Sequence, residues 1–421
     1  MNTLRHDDAS AAEFRNALVD TLIAKKKITS PEVERAFRTV PRHLFVAEGT
    51  PLDVTYSVDN SVAIKHAPDG VIISSTSAAY IQARMIEQAE LTAGMSVLEI
   101  GSGGFNAALL AEVVGPDGRV VSVDIDPEVT GRARELLDAT GYGSRVTVVQ
   151  ADAENPLPVL DAPVDAILVT VGAWDLAPAW LEHLAEGGRI VVPLRMNGIT
   201  RVIAFRREGD HLMSTSVEVA GFVPMQGEGA RDERVFQLPD RDGHHVKLRF
   251  DEDVPQDMSL LDGALATERT DVWTSVTIKH GVSFADLHLW FAAFLPGFCK
   301  IAADEGTDMA AERKGWFPFA AVHGDSFVYL VVRTVPEGGA VEFGARAYGT
   351  HGEDAATAMA EQIQAWDRHG RNTEPTFAYW PTGSQVPEFG ENTAVLPKTH
   401  GIATISWPST ANASDDQGAL Q

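Results

Sequence analysis

Apolar residues near the N-terminus recur at helical spacing. Phe14, Leu18 and Leu22 lie four apart, which places them on one face of a helix. A second helix is predicted after Thr29-Ser30-Pro31, where either hydroxyl can supply an N-cap and the proline suits the first turn. After a linker region from Pro41 to Gly70 the period changes. Short apolar runs (MSVLEI, GRVVSVDI, RVTVVQA, VDAILVT and GRIVVPL) alternate with the helical stretches FNAALLAEVV and PEVTGRARELLDAT, and with a helix from about Asp175 to Leu184. Strand, helix, strand in succession predicts a doubly wound α/β parallel sheet. The runs TRVIAFRR and HLMSTSVEVAG flank the turn EGDH, so an antiparallel hairpin is expected to close the edge of that sheet.

Past GFVPMQGEGARDERV the character shifts. HHVKLRF, DVWTSVTI and SFVYLVVRTV read as strands and DAATAMAEQIQAWDRHG as an amphipathic helix. The expected organisation is N-terminal helices over 1–40, the doubly wound domain over 41–226, a C-terminal α+β domain over 227–408, and a tail, 409–421, whose lack of apolar periodicity predicts disorder. No internal repeat is evident.

Charge narrows the partners. The 421 residues carry 34 basic against 59 acidic side chains, a net charge of −25, which repels polyphosphate backbones and anionic lipid. Nucleic acid and membrane surfaces are therefore not expected partners. No apolar run reaches the roughly 18 residues that span a bilayer, and LHLWFAAFLPGFC reads as a core helix. The N-terminus lacks the apolar core of a signal peptide, and the single cysteine, Cys299, cannot form an internal disulfide. A cytoplasmic protein is expected, with Cys299 as a buried hydrophobe. His244 and His245 are adjacent but lack an obvious third ligand at metal spacing, so no metal site is expected.

The strand SVLEI runs directly into GSGGFN and a helix, the context in which a glycine loop gains meaning. Gly101, Gly103 and Gly104 let backbone approach a nucleotide, and Asp124 follows about 20 residues later, where a carboxylate accepts from ribose hydroxyls. A dinucleotide fingerprint requires glycine where Asn106 stands, and no Gly-Lys-Ser or Gly-Lys-Thr is present. A ligand without phosphate fits better. Glu99, two residues before the loop, suits an ammonium group or its water network, and Asp152 in QADAE sits where an adenine amino group is held. S-adenosyl-L-methionine has these parts: an amino acid, a ribose and an adenine. Ser102, Asn106, Ile125, Ala153, Thr170 and Val171, in the loop or at or beside the same strand ends, complete the expected cofactor set. The bland alternative is a glycine turn among solvated acids.

In family order, VPRHLF (Val40 to Phe45), ISSTS before a helix carrying ARM, VLEIGSGG, DAILVT and LAEGGRIVVPL resemble the protein L-isoaspartate O-methyltransferases, which implies a Rossmann-like methyltransferase sheet. The resemblance implies that a hydroxyl just before the helix sits beside the methyl donor. Counting back from ARM puts it on Ser77, with Thr76 and Ser75 as neighbours. The family has proline where this chain has Ala79, and its glycine loop is one residue longer. A substrate carboxylate, with a pKa of about 4, is already ionised at neutral pH, so alignment is the main task, and a hydroxyl can orient one oxygen while leaving the other free. The rival role for these hydroxyls is capping the following helix.

The pieces GAWDLAP, PLRMNG, GFVPMQGEGA, LPGFC and WFPFAAV extend the resemblance to a subgroup associated with ribosomally made, modified peptides of lanthipeptide type. That implies esterification of an Asp in a precursor peptide, closing to aspartimide and then to isoaspartate. Trp290, Trp316 and Phe317 are expected to recognise that peptide unless they are simply core. His66 and Trp174 are expected to line the substrate pocket, with a surface-loop role and a packing role as their respective alternatives. General repair of isoaspartyl proteins, and a peptide-binding module that transfers nothing, are the competing functions. An NAD-dependent oxidoreductase is disfavoured by Asn106.

Overall fold

Ser30 accepts a hydrogen bond from the Val33 amide, and Pro31 occupies the first turn, so the second predicted helix begins at its capping signal. The computed structural model describes residues 3–101, 103–251, 254–311, 316–336 and 338–408; the expected tail at 409–421 and Ser102 lie outside the described residues. The first helices are α1 (Thr3–Ala24) and α2 (Pro31–Thr39). The stretch expected as linker is structured: α3 (Leu52–Thr55) leads into an antiparallel hairpin of β1 (Val62–His66) and β2 (Ile72–Thr76), and α4 (Ala79–Gln88) follows.

The alternating region then runs β3 (Ser96–Ile100), α5 (Phe105–Val114), β4 (Arg119–Asp124), α6 (Pro127–Ala139), β5 (Val146–Gln150), β6 (Val164–Val169), α7 (Pro178–His183), β7 (Leu184–Met196), β8 (Ile199–Glu208) and β9 (His211–Glu218). Beyond it come β10 (Arg234–Pro239), β11 (His245–Phe250), β12 (Thr270–Lys279), α8 (Ala285–Phe294), β13 (Phe298–Ala303), α9 (Asp308–Ala311), β14 (Trp316–His323), β15 (Ser326–Thr334), β16 (Ala340–Gly349), α10 (Gly352–Ala365), β17 (Thr376–Pro381), β18 (Thr393–Pro397) and β19 (Gly401–Ser406).

Among the described residues, the first large sheet has the order β18-β19-β17-β9-β8-β7-β6-β3-β4-β5. Its β7-β6-β3-β4-β5 half is parallel, as the alternation predicts, and the rest is antiparallel. The second sheet is antiparallel throughout, in the order β10-β11-β13-β14-β15-β16-β12, with α10 packed on β12, β15 and β16.

Two expectations need correction. The β8–β9 hairpin does not close the sheet, because β17 pairs with β9 through Ala378–Met213 and Tyr379–Leu212. The C-terminal unit therefore does not run unbroken from 227 to 408: its last strands return to the first sheet, so the added α+β portion is inserted between β9 and β17. The return is held by buried surface, with Phe377, Tyr379, Ile405 and Trp407 in the same core as β6 and β7. That core also takes in Trp290, whose indole N–H donates to Gln362 Oε1 at 3.0 Å, and Phe317 packs against it edge-on to Phe284. Both aromatics are structural. The Trp316 side chain is outside the described residues. Cys299 is buried, and burial pushes its thiol pKa up. No described helix is long and apolar enough to cross a membrane.

Candidate active site

The carboxyl ends of β3, β4, β5 and β6 converge on one cleft. At the end of β3 the chain turns through Gly101 (φ +97°), whose amide donates to Val123 O at 2.8 Å. From β6, the Thr170 amide donates to Ile100 O at 2.8 Å and its hydroxyl to Gly101 O at 2.9 Å. A Cβ at Gly101 would collide with Thr170 Oγ1, so this turn needs glycine for both its φ and its close approach. Gly101, Gly103, Asp124, Ile125, Asp152, Ala153, Thr170 and Val171 line the cleft. The Asp152 carboxylate is oriented by two backbone amides, Glu154 N to Oδ1 (3.0 Å) and Glu228 N to Oδ2 (2.9 Å). Two roofs cover the cleft: Ile73–Ser75 of the β1–β2 hairpin, and a strap at Val223–Gln226. Lys65 of the hairpin is tied to Asp126 at 2.7 Å. The strap is tied through Gly172, whose amide donates to Val223 O at 2.7 Å.

A second, smaller cleft adjoins the first and shares Ser75, Gly101, Gly103 and Thr170 with it. It is also lined by Thr76, Ser77, Gln82 and Asn106. The capping role for the hydroxyl run is not adopted: α4 has Ala78 as its N-cap and no side-chain cap bond. Instead, Thr76 Oγ1 is buried without a hydrogen-bond partner among the described residues, an arrangement that costs about 1–3 kcal/mol unless a ligand satisfies it. Ser77 is held from behind by buried Arg42, whose guanidinium donates to Ser77 O (2.8 Å), Gln82 Oε1 (2.6 Å) and Thr55 O (2.7 Å), and lies over the Phe105 ring. With neutral acceptors for those bonds, burial lowers its pKa to about 10. A planar fork serves these acceptors in a way a single ammonium cannot. Arg42→Lys is therefore expected to lower kcat about tenfold while leaving S-adenosylhomocysteine affinity within about twofold, measured by steady-state kinetics and calorimetry.

The model of the family Protein-L-isoaspartate(D-aspartate) O-methyltransferase (PCMT) matches residues 13–230. A protein-L-isoaspartate O-methyltransferase from Hyperthermus butylicus is 35% identical over 232 residues, covering 53% of this chain and 92% of that protein. One from Methanopyrus kandleri is 35% identical over 227 residues, covering 53% and 96%. The chain belongs to the protein-L-isoaspartate(D-aspartate) O-methyltransferase family. A solved protein-L-isoaspartate O-methyltransferase superposes with a TM-score of 0.48 at 20% identity, covering 86% of this chain and 96% of that one. Membership of that family, shown by the match over residues 13–230, makes the protein an S-adenosylmethionine-dependent methyltransferase enzyme, with S-adenosylmethionine as its cofactor. The glycine cradle, Asp124 and the amide-held Asp152 fit its parts.

Not every expected residue of this O-methyltransferase reaches a cleft. Glu99 lies beneath the glycine loop, fully buried, accepting from Asn106 Nδ2 at 2.9 Å and from Ser122 Oγ, so it cannot meet an ammonium group directly. Gly104 (φ +83°) is the N-cap of α5 and packs near the Phe45 ring. His66 is exposed at the end of β1, which gives it the surface role. Trp174 is buried beneath Lys398, whose Nζ sits 3.4 Å from the ring centre, so it packs rather than lining the pocket. The sequence reading assigned no role to Arg42, Gln82 or the strap, although VPRHLF and GFVPMQGEGA contain Arg42 and the strap.

Burial is the main cause that pushes the Glu99 carboxyl up from 4.5 to about 7, aided by the charge of Asp124 and opposed by Ser122 and Asn106. Because the folded value exceeds the unfolded one, the native state favours the protonated form. Stability is expected to fall as pH rises from 4.5 towards 7 and then level off, a loss of about 3 kcal/mol. Glu99→Gln should abolish most of that slope in denaturation measured across this range, since its amide can still serve Ser122 and its oxygen Asn106.

Proposed function

We propose that the protein is a carboxyl O-methyltransferase that esterifies the side chain of an Asp in a ribosomally made, modified peptide of lanthipeptide type. The observation that carries the reaction class is the shared wall of the two clefts. Ser75, Gly101, Gly103 and Thr170 border both, so a carboxylate in the smaller cleft faces the larger one across hydroxyl-bearing residues. S-adenosylmethionine, when bound, supplies an electrophilic methyl group. Gly101, Gly103, Asp124, Ile125, Asp152, Ala153, Thr170 and Val171 would hold it. Ser77 and the unpartnered hydroxyl of Thr76 donate to one carboxylate oxygen and so aim the other. Holding nucleophile and electrophile in line supplies several kcal/mol without a general base. Arg42 fixes Ser77, and the two roofs shield the cleft.

The peptide reading rests on the subgroup resemblance and on the inserted α+β portion, which lies outside the 13–230 family match. In the product, the next backbone nitrogen attacks the ester carbonyl, the C–O bond breaks, and methanol leaves with the amide proton, giving an aspartimide. Water then opens the ring to isoaspartate. The second reading is isoaspartate repair, favoured by the names of the matched relatives. Mass spectrometry of reactions with a generic isoaspartyl peptide and with a cyclised precursor peptide separates the two. Gain of one methyl on the precursor alone, followed by a mass one water below the start, supports maturation. Methylation of the generic peptide alone supports repair, and transfer to neither leaves a binding module.

A further inference from the structure

In the portion beyond the family match, one turn packs beside the segments that line the cofactor cleft. Between β18 and β19, His400 Nε2 lies 3.3 Å from Glu154 Oε1, and the His400 amide donates to Asp175 Oδ2 at 2.7 Å. Thr399 Oγ1 accepts from Arg231 Nη2 at 2.7 Å, and Lys398 Nζ donates to Arg195 O at 2.8 Å. These partners stand behind the cleft rather than in its lining, and three of them follow lining residues on separate segments: Glu154 after Ala153, Asp175 after Val171 and Arg231 after Gln226. Glu154 is two residues past Asp152, and its amide holds one Asp152 oxygen. Asp175 follows the β6 end and also accepts from Tyr379 OH at 2.6 Å. Arg231 ends the segment whose Glu228 amide holds the other Asp152 oxygen.

We propose that the turn Lys398–His400 is a clasp on the cofactor cleft, with Thr399 and His400 as positioning residues for S-adenosylmethionine binding. The inference rests on the larger cleft being the S-adenosylmethionine site. The Asp152 carboxylate is aimed by amides from two separate segments, the turn after β5 and the single 3-10 turn Gly227–Gly229 that follows the strap. The clasp fixes both, so the ordering that binding would otherwise demand is already done in the free enzyme. The parts that do this lie outside residues 13–230, which makes donor affinity a property of the whole chain.

The test is calorimetric titration of the full-length protein with S-adenosylhomocysteine. His400→Leu and Thr399→Val are each expected to raise Kd about fivefold, and the double variant more than about tenfold. His400→Gln retains a side-chain N–H for Glu154 and should bind within about twofold of the parent. Should His400→Leu fail to fold, Thr399→Val carries the test. Unchanged Kd in both His400→Leu and Thr399→Val overturns the clasp. Equal weakening in His400→Leu and His400→Gln also overturns it, because bulk rather than the hydrogen bond would then matter. A parent protein that binds no S-adenosylhomocysteine overturns the cleft assignment itself, an outcome distinct from a parent that binds and variants that do not differ.

Discussion

Replacing Gly101 by alanine is expected to raise the dissociation constant for S-adenosylhomocysteine at least about tenfold. Two costs combine. A non-glycine residue held at φ +97° carries about 1–3 kcal/mol of backbone strain, and the new methyl must displace Thr170 Oγ1, which bonds to both Ile100 O and Gly101 O. Moving Thr170 loosens the joint between the β3 and β6 ends, where the cofactor binds. Gly115→Ala isolates the first cost: Gly115 has φ +71°, yet a Cβ there meets nothing within 4 Å. It should lower stability by about 1–2 kcal/mol and leave ligand affinity alone. Thr170→Ala in the Gly101→Ala background removes the collision but not the strain, so the double variant should bind better than the product of the two single effects requires. Calorimetry on the four proteins completes the cycle.

What was legible in the sequence is what is encoded locally. The α2 cap, the glycine loop, the alternation through β7 and the β8–β9 turn each depend on residues a few positions apart, and each is where its signal stands. The β1–β2 hairpin also had a signal, Pro68-Asp69-Gly70, in which Asp69 accepts from the Val71 amide and Gly70 has φ +86°. Its strands carry register shifts, which blur the two-residue alternation and hide it among apparent loop residues. The pairing of Tyr379 with Leu212 spans the entire inserted portion; no periodicity in either strand names its partner. Glu99 shows a different limit. Its position before the loop is visible in sequence, but whether a carboxylate points into a cleft or under it depends on where Ser122 and Asn106 fall.

The same distinction governs the hydroxyl run. Four adjacent hydroxyl residues before a helix read equally well as caps or as ligands for substrate, and only the backbone decides. Because β2 ends at Thr76 and α4 starts at Ala79 with an uncapped Ala78 before it, Thr76 and Ser77 are left lining the smaller cleft.

Ser77→Ala and Thr76→Val should therefore separate activity from stability. Loss of a hydroxyl that donates to an ionised carboxylate removes about 1.5–3 kcal/mol, so Ser77→Ala is expected to lower kcat/KM about ten- to a hundredfold. Its thermal midpoint should stay near the parent's, since Arg42 holds the Ser77 carbonyl, which alanine retains. Thr76→Val keeps the shape and removes a hydroxyl that is buried without a partner among the described residues. A residue present only for folding would gain from that exchange, by about 1 kcal/mol or more. The expected outcome is a raised thermal midpoint together with a fall in kcat/KM of about tenfold or more. A variant that is stabilised and fully active would remove Thr76 from the carboxylate site and leave Ser77 alone to orient it. One that is destabilised would mean that the Thr76 hydroxyl has a partner in the folded protein. Stabilisation at the expense of turnover is the signature of a polar group kept unsatisfied for its substrate.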